Sequence, residues 1–335
     1  MALPKVLLTN PIDPIGDRIL ERVAEIVRAP DAKPETLNAM VRDADILLVR
    51  AFLPKDIFEQ PNHLRGVVRH GVGLDMIPME SATAHGIPVA NVPGSNAEAV
   101  AEYAVMGMLL IARQAHKMDR DLRVLDWNTG RAHADASTEL FGRTLGVIGM
   151  GDVGRRAAEI CLLGFRMRIL GTPSRRKALP AYVEGAALDA IFRESDFILL
   201  SCPLTGETKH LVNGARLAMM KPTAALVNAA RGPVIDETAL VQSLSARRIR
   251  GAVLDVFERQ PLRGDHPLLK LDNVVLSPHA AGLTEESVKR MSQGAAEEAV
   301  RLLAWERPVS LCNPEVWEQH LKRHVASAGG FVTPA

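Results

Sequence analysis

Residues 144–154 read Thr-Leu-Gly-Val-Ile-Gly-Met-Gly-Asp-Val-Gly, which spaces three glycines as G-x-G-x-x-G at Gly149, Gly151 and Gly154. A strand-like run precedes them and a helix-like run follows as far as Gly164. This context predicts the first turn of a βαβ unit in a parallel sheet. Gly149 permits the tight turn, Gly151 lets the backbone approach a pyrophosphate, and Gly154 lets the helix pack on the sheet. Met150, Asp152 and Val153 belong to the same turn, and the helix N-terminal N–H groups face the anion.

The remaining chain agrees with that class. Its 335 residues suffice for two domains. Short β-branched runs at 6–9, 46–49, 64–69 and 88–90 alternate with amphipathic stretches at 15–26 and 75–85, the alternation of a parallel sheet with helices on both faces. Residues 97–116 are apolar round most of a helical circumference and predict one largely buried helix joining two lobes. A polar stretch containing Trp127 leads to Leu140. A second βα series follows, with strands near Arg168, Phe197, Leu226, Ala252 and Val274. Residues 285–305 read as an amphipathic helix, and the tail from Glu306 ends in polar, Gly- and Ala-bearing residues expected to fray.

In a site for NAD, the second strand of such a unit ends in an acid that hydrogen-bonds the ribose 2′-hydroxyl. Here residues 171–177 read Gly-Thr-Pro-Ser-Arg-Arg-Lys, with no carboxylate at Thr172 or Pro173. Ser174, Arg175 and Arg176 offer hydroxyl and guanidinium donors suited to a 2′-phosphate, so NADP is favoured over NAD. Lys and Arg number 40 against 39 Asp and Glu, a formal net charge of +1, which lacks the basic footprint that nucleic acid requires. Neither a basic-then-apolar leader nor a membrane-length apolar run is evident, and a cytoplasmic protein is expected. Cys161, Cys202 and Cys312 are too scattered for a disulfide framework or a metal cluster, so reduced thiols and no metal are expected.

Three further segments decide the chemistry. Residues 226–232 read Leu-Val-Asn-Ala-Ala-Arg-Gly, 251–257 Gly-Ala-Val-Leu-Asp-Val-Phe, and 276–282 Leu-Ser-Pro-His-Ala-Ala-Gly. With the glycine turn they resemble the D-isomer-specific 2-hydroxyacid dehydrogenases, of glyoxylate/hydroxypyruvate reductase and phosphoglycerate dehydrogenase type. Residues 69–75 (Arg-His-Gly-Val-Gly-Leu-Asp), 91–94 (Asn-Val-Pro-Gly), 100–102 (Val-Ala-Glu) and 202–205 (Cys-Pro-Leu-Thr) extend the likeness over nearly the whole chain.

The resemblance implies an α/β protein of two Rossmann/flavodoxin-like lobes with parallel sheets. Residues 1–98 and 288–335 form a discontinuous substrate lobe, and 99–287 form the dinucleotide lobe. It also implies hydride transfer between NAD(P) and a small 2-oxo acid or D-2-hydroxy acid, a closing cleft, and a homodimer. Arg231 matches the family arginine, whose planar fork holds substrate carboxylate and carbonyl. His279 matches the acid/base, and Asp255 the residue that holds the nicotinamide carboxamide. Gly71, Val72 and Gly73 match the turn whose N–H groups bind the substrate carboxylate. Cys202, Pro203, Thr208 and Ala229 are implied as cofactor contacts, with His279. Arg50, Phe52 and His70 are candidate pocket residues, and Arg50 and His70 suit an anionic or polar substituent. His85, His116, His210 and His320 fall outside the family's catalytic positions.

One position departs from the family. Where a glutamate usually pairs with the histidine, five positions after Asp255, this chain has Gln260. An amide removes the Coulombic support for imidazolium while keeping a hydrogen bond, unless Glu258 substitutes. A Gln–His pair also resembles formate dehydrogenases of the same superfamily, where no proton accompanies hydride, although their extended N-terminal region is missing here. The remaining alternative is a nicotinamide-sensing corepressor-like protein; short termini without a Pro/Ser-rich tail speak for an enzyme.

Overall fold

The computed structural model describes residues 2–172 and 178–327. Chain contacts divide into two compact units, Met1–Asn96 with Leu283–Ala335, and Ala97–Gly282. The breaks stand just before two helices, Ala97–Arg113 and Glu285–Leu303, where the sequence expectation was 98/99 and 287/288. Among the described residues no helix is long and apolar enough to cross a membrane.

In the first unit, β1 (Lys5–Leu8), β2 (Glu25–Arg28), β3 (Ile46–Val49), β4 (Gly66–Arg69) and β5 (Val89–Ala90) form a parallel sheet in the order β2-β1-β3-β4-β5. This is the flavodoxin-like order. Its central strands are continuous apolar runs because both faces are covered. Leu7, Leu47, Val49 and Val67 face a core with Leu37, Ile57, Phe58 and Ile87. The alternate residues Val6, Leu8, Ile46, Leu48 and Val68 face Leu20, Ala295, Ala299 and Leu302. The helix Glu285–Leu303 supplies those last residues, and a capping box between Thr284 and Ser287 starts it.

One expectation needs correction here. The amphipathic stretch 15–26 is not one element: a helix stops at Leu20, and Glu25–Arg28 becomes an edge strand because it can pair with β1. The segment after Glu306 is held in place up to residue 327, and the Gly- and Ala-bearing end expected to fray, residues 328–335, lies outside the described residues. Leu311 bridges to Ala90, and the Glu298 carboxylate accepts the N–H groups of Val309 (3.0 Å) and Ser310 (3.0 Å). The Asn313 side chain takes the Val89 N–H (2.8 Å), and a helix Trp317–Ser327 follows. Tertiary hydrogen bonds hold a segment too polar to announce itself by periodicity.

In the second unit, β6 (Thr144–Ile148), β7 (Arg168–Gly171), β8 (Glu184–Gly185), β9 (Phe197–Leu200), β10 (Ala225–Asn228), β11 (Gly251–Leu254) and β12 (Val274–Leu276) form a parallel sheet in the order β12-β11-β10-β9-β6-β7-β8. The order extends the Rossmann pattern by one strand and reverses between β6 and β9. One face is covered by Ala101, Ala104, Met108 and Ile111 of the helix Ala97–Arg113, and by Ala157, Ala158 and Cys161 of the helix Asp152–Phe165. The single helix expected over 97–116 ends at Arg113. Gln114 takes a left-handed φ of 52°, and a separate helix, Ala115–Val124, begins. The interruption turns the chain without a glycine.

Candidate active site

Ile148, Leu200, Asn228, Leu254 and Leu276 pair in one row across β6, β9, β10, β11 and β12. Whatever follows these residues therefore lies on one edge of the sheet, the carboxyl edge at which open α/β sheets bind ligands. The glycine turn, Cys202, Arg231, Asp255 and His279 all follow them.

Each glycine of the turn has its own cause. Gly149 has φ +105°, and a Cβ there would lie 2.4 Å from the Cys202 nitrogen. A Cβ on Gly154 would lie 2.2 Å from the Gly149 carbonyl oxygen. Ser201 Oγ donates to that same carbonyl at 2.7 Å and closes the turn. Gly151 differs, because a Cβ there meets nothing within 4 Å. Protein packing thus requires Gly149 and Gly154 but leaves open space at Gly151, as a site for a pyrophosphate needs. Gly151 caps the helix Asp152–Phe165, whose first-turn N–H groups have no intrahelical acceptor. The donor set fits a dinucleotide phosphate.

The other cofactor positions divide between rim and core. Asp152 is exposed and Val153 half-buried, but the Met150 side chain is 4 % exposed and belongs to the core, so Met150 contributes backbone only. Arg155 Nε donates to the Met150 carbonyl at 3.0 Å and braces the turn. Thr172 follows β7, its N–H on the Val147 carbonyl at 3.3 Å. Ser174, Arg175 and Arg176 lie outside the described residues. Burial pushes the Cys202 thiol up to about 11, so it stays protonated near neutral pH. Thr208 Oγ1 donates to the Pro203 carbonyl at 2.6 Å and curls the loop after β9. Ala229 is half-buried, and the next turn is folded by Asn228, whose side chain takes the Ala230 N–H (3.0 Å) and donates to the Arg231 carbonyl (3.0 Å).

That turn brings Arg231 beside the segment carrying Gln260. A Cβ on Gly232 would fall 1.9 Å from the Phe257 carbonyl carbon, so the two backbones are in contact only because residue 232 is glycine. The Arg231 Nη1 donates to the Ala230 carbonyl at 2.7 Å. His279 has a left-handed φ of 56°. Its N–H donates to the Asp255 carbonyl at 2.8 Å, and its ring Nδ1–H donates to Gln260 Oε1 at 2.9 Å. An amide oxygen only accepts, so the neutral ring carries its proton on Nδ1 and presents a lone pair at Nε2. Glu258 is engaged by His210, Oε1 to Nε2 at 2.8 Å.

Asp255 is 2 % exposed. Its carboxylate accepts Ser277 Oγ–H (2.6 Å) and the N–H groups of Ala280 (2.7 Å) and Ala281 (2.9 Å). Tyr103 Oη lies 2.5 Å from Ser277 Oγ. Tyr103, Ser201 and Ser277 are among the polar residues of this rim that motif reasoning did not single out. Ser277 was visible inside the histidine segment, but nothing in an apolar helix signals Tyr103.

In the first unit, Arg50, Phe52 and the turn 71–73 follow β3 and β4. Three carbonyls of that turn are tied back: Gly71 to the Val92 N–H (2.9 Å), Val72 to Asn91 Nδ2 (2.8 Å), and Gly73 to Arg69 Nε (3.0 Å). Among the described residues the N–H groups of Val72 and Gly73 have no acceptor, which suits them to an anion. Arg50 Nη1 donates to the Pro11 carbonyl, and Phe52 is exposed. His70 corrects an expectation. Its ring is 3 % exposed and its Nε2 lies 2.8 Å from Ser292 Oγ, so it pins the turn from inside and offers no surface to a solute. Burial, with Arg50 and Arg69 nearby, lowers it to about 3, and it stays neutral.

The family model for the NAD-binding domain of D-isomer-specific 2-hydroxyacid dehydrogenases matches residues 105–281. The chain belongs to this family. A glyoxylate reductase from Thermofilum pendens is 37 % identical over 327 residues, covering 94 % of this chain and 96 % of the relative. The crystal structure of an NADPH-dependent glyoxylate/hydroxypyruvate reductase from Sinorhizobium meliloti, in complex with NADP and malonate, superposes with a TM-score of 0.80. It has 28 % identity and covers 92 % of this chain and 97 % of that one. An NAD-dependent formate dehydrogenase from Staphylococcus aureus, in complex with NAD, gives a TM-score of 0.80 at 27 % identity, covering 91 % and 97 %. This 2-hydroxyacid dehydrogenase is an oxidoreductase of 2-oxo and 2-hydroxy acids that uses a nicotinamide cofactor.

Proposed function

We propose that this dehydrogenase is a reductase of small 2-oxo acids of the glyoxylate and hydroxypyruvate class, with NADP favoured over NAD. The observation that carries the reading is the His279–Gln260 hydrogen bond on the rim that also bears Arg231 and the glycine turn. A nicotinamide dinucleotide held at the Gly149–Gly154 turn would supply hydride to the carbonyl carbon. Arg231 orients the substrate's carboxylate and carbonyl, and concentrates positive charge where the oxygen becomes an alkoxide. His279 gives that oxygen its proton from Nε2, because Nδ1–H is committed to Gln260. The N–H groups of Val72 and Gly73, which have no acceptor among the described residues, suit an anionic group. Asp255, the position the family resemblance pairs with the carboxamide, is 2 % exposed, and its carboxylate is taken by Ser277 and the N–H groups of Ala280 and Ala281.

The preference for NADP rests on the absence of an acid at Thr172 and on Arg175 and Arg176, and the NADPH dependence of the Sinorhizobium relative supports it. A homodimer would cover the exposed Met106, Leu122, Val124, Leu125 and Trp127, all in the second unit. Free Cys161, Cys202 and Cys312 suit the reducing cytoplasm.

A panel of 2-oxo acids with NADPH and NADH tests the assignment. Glyoxylate and hydroxypyruvate with NADPH should give the highest kcat/KM. The Gln260–His279 pair favours one second reading, formate oxidation, in which no proton is transferred. Reduction of NADP or NAD by formate, with no turnover of any 2-oxo acid, would replace the first reading by the second.

A further inference from the structure

Tyr103 stands on the helix Ala97–Arg113 one turn before Gly107. A Cβ at Gly107 would lie 2.6 Å from Val253 Cγ1, so the glycine lets this helix close onto β11. The close approach brings the Tyr103 hydroxyl, 2.5 Å from Ser277 Oγ, to the end of β12. Asp255, as a carboxylate, only accepts, so Ser277 donates to it at 2.6 Å and Tyr103 in turn donates to Ser277. Both Asp255 oxygens then hold the backbone just after His279, through the N–H groups of Ala280 and Ala281 (2.7 and 2.9 Å). The Asp255 carbonyl holds the N–H of His279 itself at 2.8 Å. A histidine at φ 56° occupies a conformation that a non-glycine residue keeps only when its surroundings impose it. The bonds from Asp255 to residues 279, 280 and 281 hold the backbone on both sides of that conformation.

We propose that Tyr103 is a positioning residue for His279, acting through Ser277 and Asp255 to hold the imidazole where its Nε2 can exchange a proton with substrate. The inference rests on the acid/base reading of His279. Burial, reinforced by the negative charge of Asp255, raises the Tyr103 hydroxyl above its ordinary pKa, so the donor that begins the chain is present throughout the working range. The direction of donation therefore does not reverse with pH. A chain of polarised hydrogen bonds of this kind acts as a unit, and removing either hydroxyl should loosen the same turn.

Four variants of the full-length enzyme test it, with glyoxylate and NADPH as probes: Tyr103→Phe, Ser277→Ala, the double variant, and Ser277→Thr. Loss of one hydrogen bond from the turn should lower kcat about three- to tenfold in Tyr103→Phe, with KM for glyoxylate and Kd for NADPH changed by less than about twofold. Ser277→Ala should lose at least as much. The double variant should match Ser277→Ala, because Tyr103 acts only through Ser277. Ser277→Thr keeps the hydroxyl and should keep the rate. Wild-type kcat in Tyr103→Phe, additive losses in the double variant, or losses confined to NADPH binding would each overturn the proposal. His279→Ala separates the two levels. Turnover near wild type in that variant removes the acid/base reading itself, whereas a loss on the order of a hundredfold beside an unimpaired Tyr103→Phe removes only the role of Tyr103.

Discussion

Replacing Gln260 with glutamate puts a negative charge where an amide oxygen now accepts the His279 Nδ1–H at 2.9 Å. Two unit charges about 4 Å apart interact by roughly 1 kcal/mol in water and about 4 kcal/mol at the effective dielectric near a protein surface. His279 is half-buried and Gln260 exposed, so the lower half of that range applies. A gain of roughly 1.5–2.5 kcal/mol for imidazolium moves its titration upward by about 1–2 pH units. The sign follows from which form does the work. On the proposed acid/base role of His279, reduction needs the protonated ring and is lost as pH rises through its pKa, so Gln260→Glu should keep reducing to higher pH than the wild type. Oxidation needs the neutral ring and should begin at higher pH in the variant. The assay is kcat/KM for glyoxylate at saturating NADPH, from about pH 5 to 10, and for the hydroxy acid in reverse, at constant ionic strength because exposed pairs are screened. Glu258→Gln serves as the control and should leave the profile in place, since Glu258 faces His210. Coincident profiles for wild type and Gln260→Glu would refute the coupling of the two side chains.

Gly151→Ala should leave the melting temperature nearly unchanged while weakening dinucleotide binding on the order of tenfold, because only the ligand competes for that open space. Gly149→Ala should lower stability by a few kcal/mol, roughly the scale of overpacking plus a strained φ, and an intact Gly149→Ala protein in thermal melts would contradict the geometry. Arg231→Ala should abolish measurable reduction while fluorescence titration shows NADPH binding nearly intact; parallel loss of both would make Arg231 a cofactor residue. Neutral replacements of Arg175 and Arg176 together should weaken NADPH much more than NADH, and an equal loss for both cofactors would point to a structural role. His70, depressed to about 3 when folded, stays neutral while its unfolded counterpart takes up a proton, so wild-type stability should fall between about pH 6.5 and 3 by roughly 1.4 kcal/mol per unit. Urea melts of His70→Gln should lack that component of the slope.

The parts of the fold written in local pattern were legible. Strands such as Ile46–Val49 and Thr144–Ile148 announce themselves as apolar runs, because a parallel sheet covered on both faces leaves no polar position in its central strands. The glycine turn was legible for a related reason: Gly149 answers to its own φ of +105° and Gly154 to the Gly149 carbonyl, both within the strand–turn–helix unit. What escaped depends on distant partners. His70 looked like a pocket residue beside the Gly71 turn, and only Ser292, far along the chain, turns it inward. The segment after Glu306 has too few apolar residues to show a period, yet Glu298 and Asn313 tie it down. Gln114 carries no turn signature, and a good helix former in a left-handed conformation cannot be read from composition.

On the proposed acid/base role of His279, the amide at position 260 also sets a direction for the proton transfer. Gln260 Oε1 selects the tautomer with the proton on Nδ1, which leaves Nε2 of the neutral ring as a base. Taking a proton from a hydroxy acid needs nothing more than that state. Donating one to an alkoxide needs a second proton on the ring, beside an arginine on the same rim and without a carboxylate at position 260 to hold it. A bound 2-oxo acid brings a carboxylate of its own, whose charge offsets Arg231 while the ring is being protonated. In that proposal the substrate's anionic group would do more than fix orientation: it would replace, for the lifetime of the complex, part of the electrostatic support that Gln260 does not give. The proton would then be best held with substrate in place, which would couple acid catalysis to binding in a way that a permanent glutamate would not.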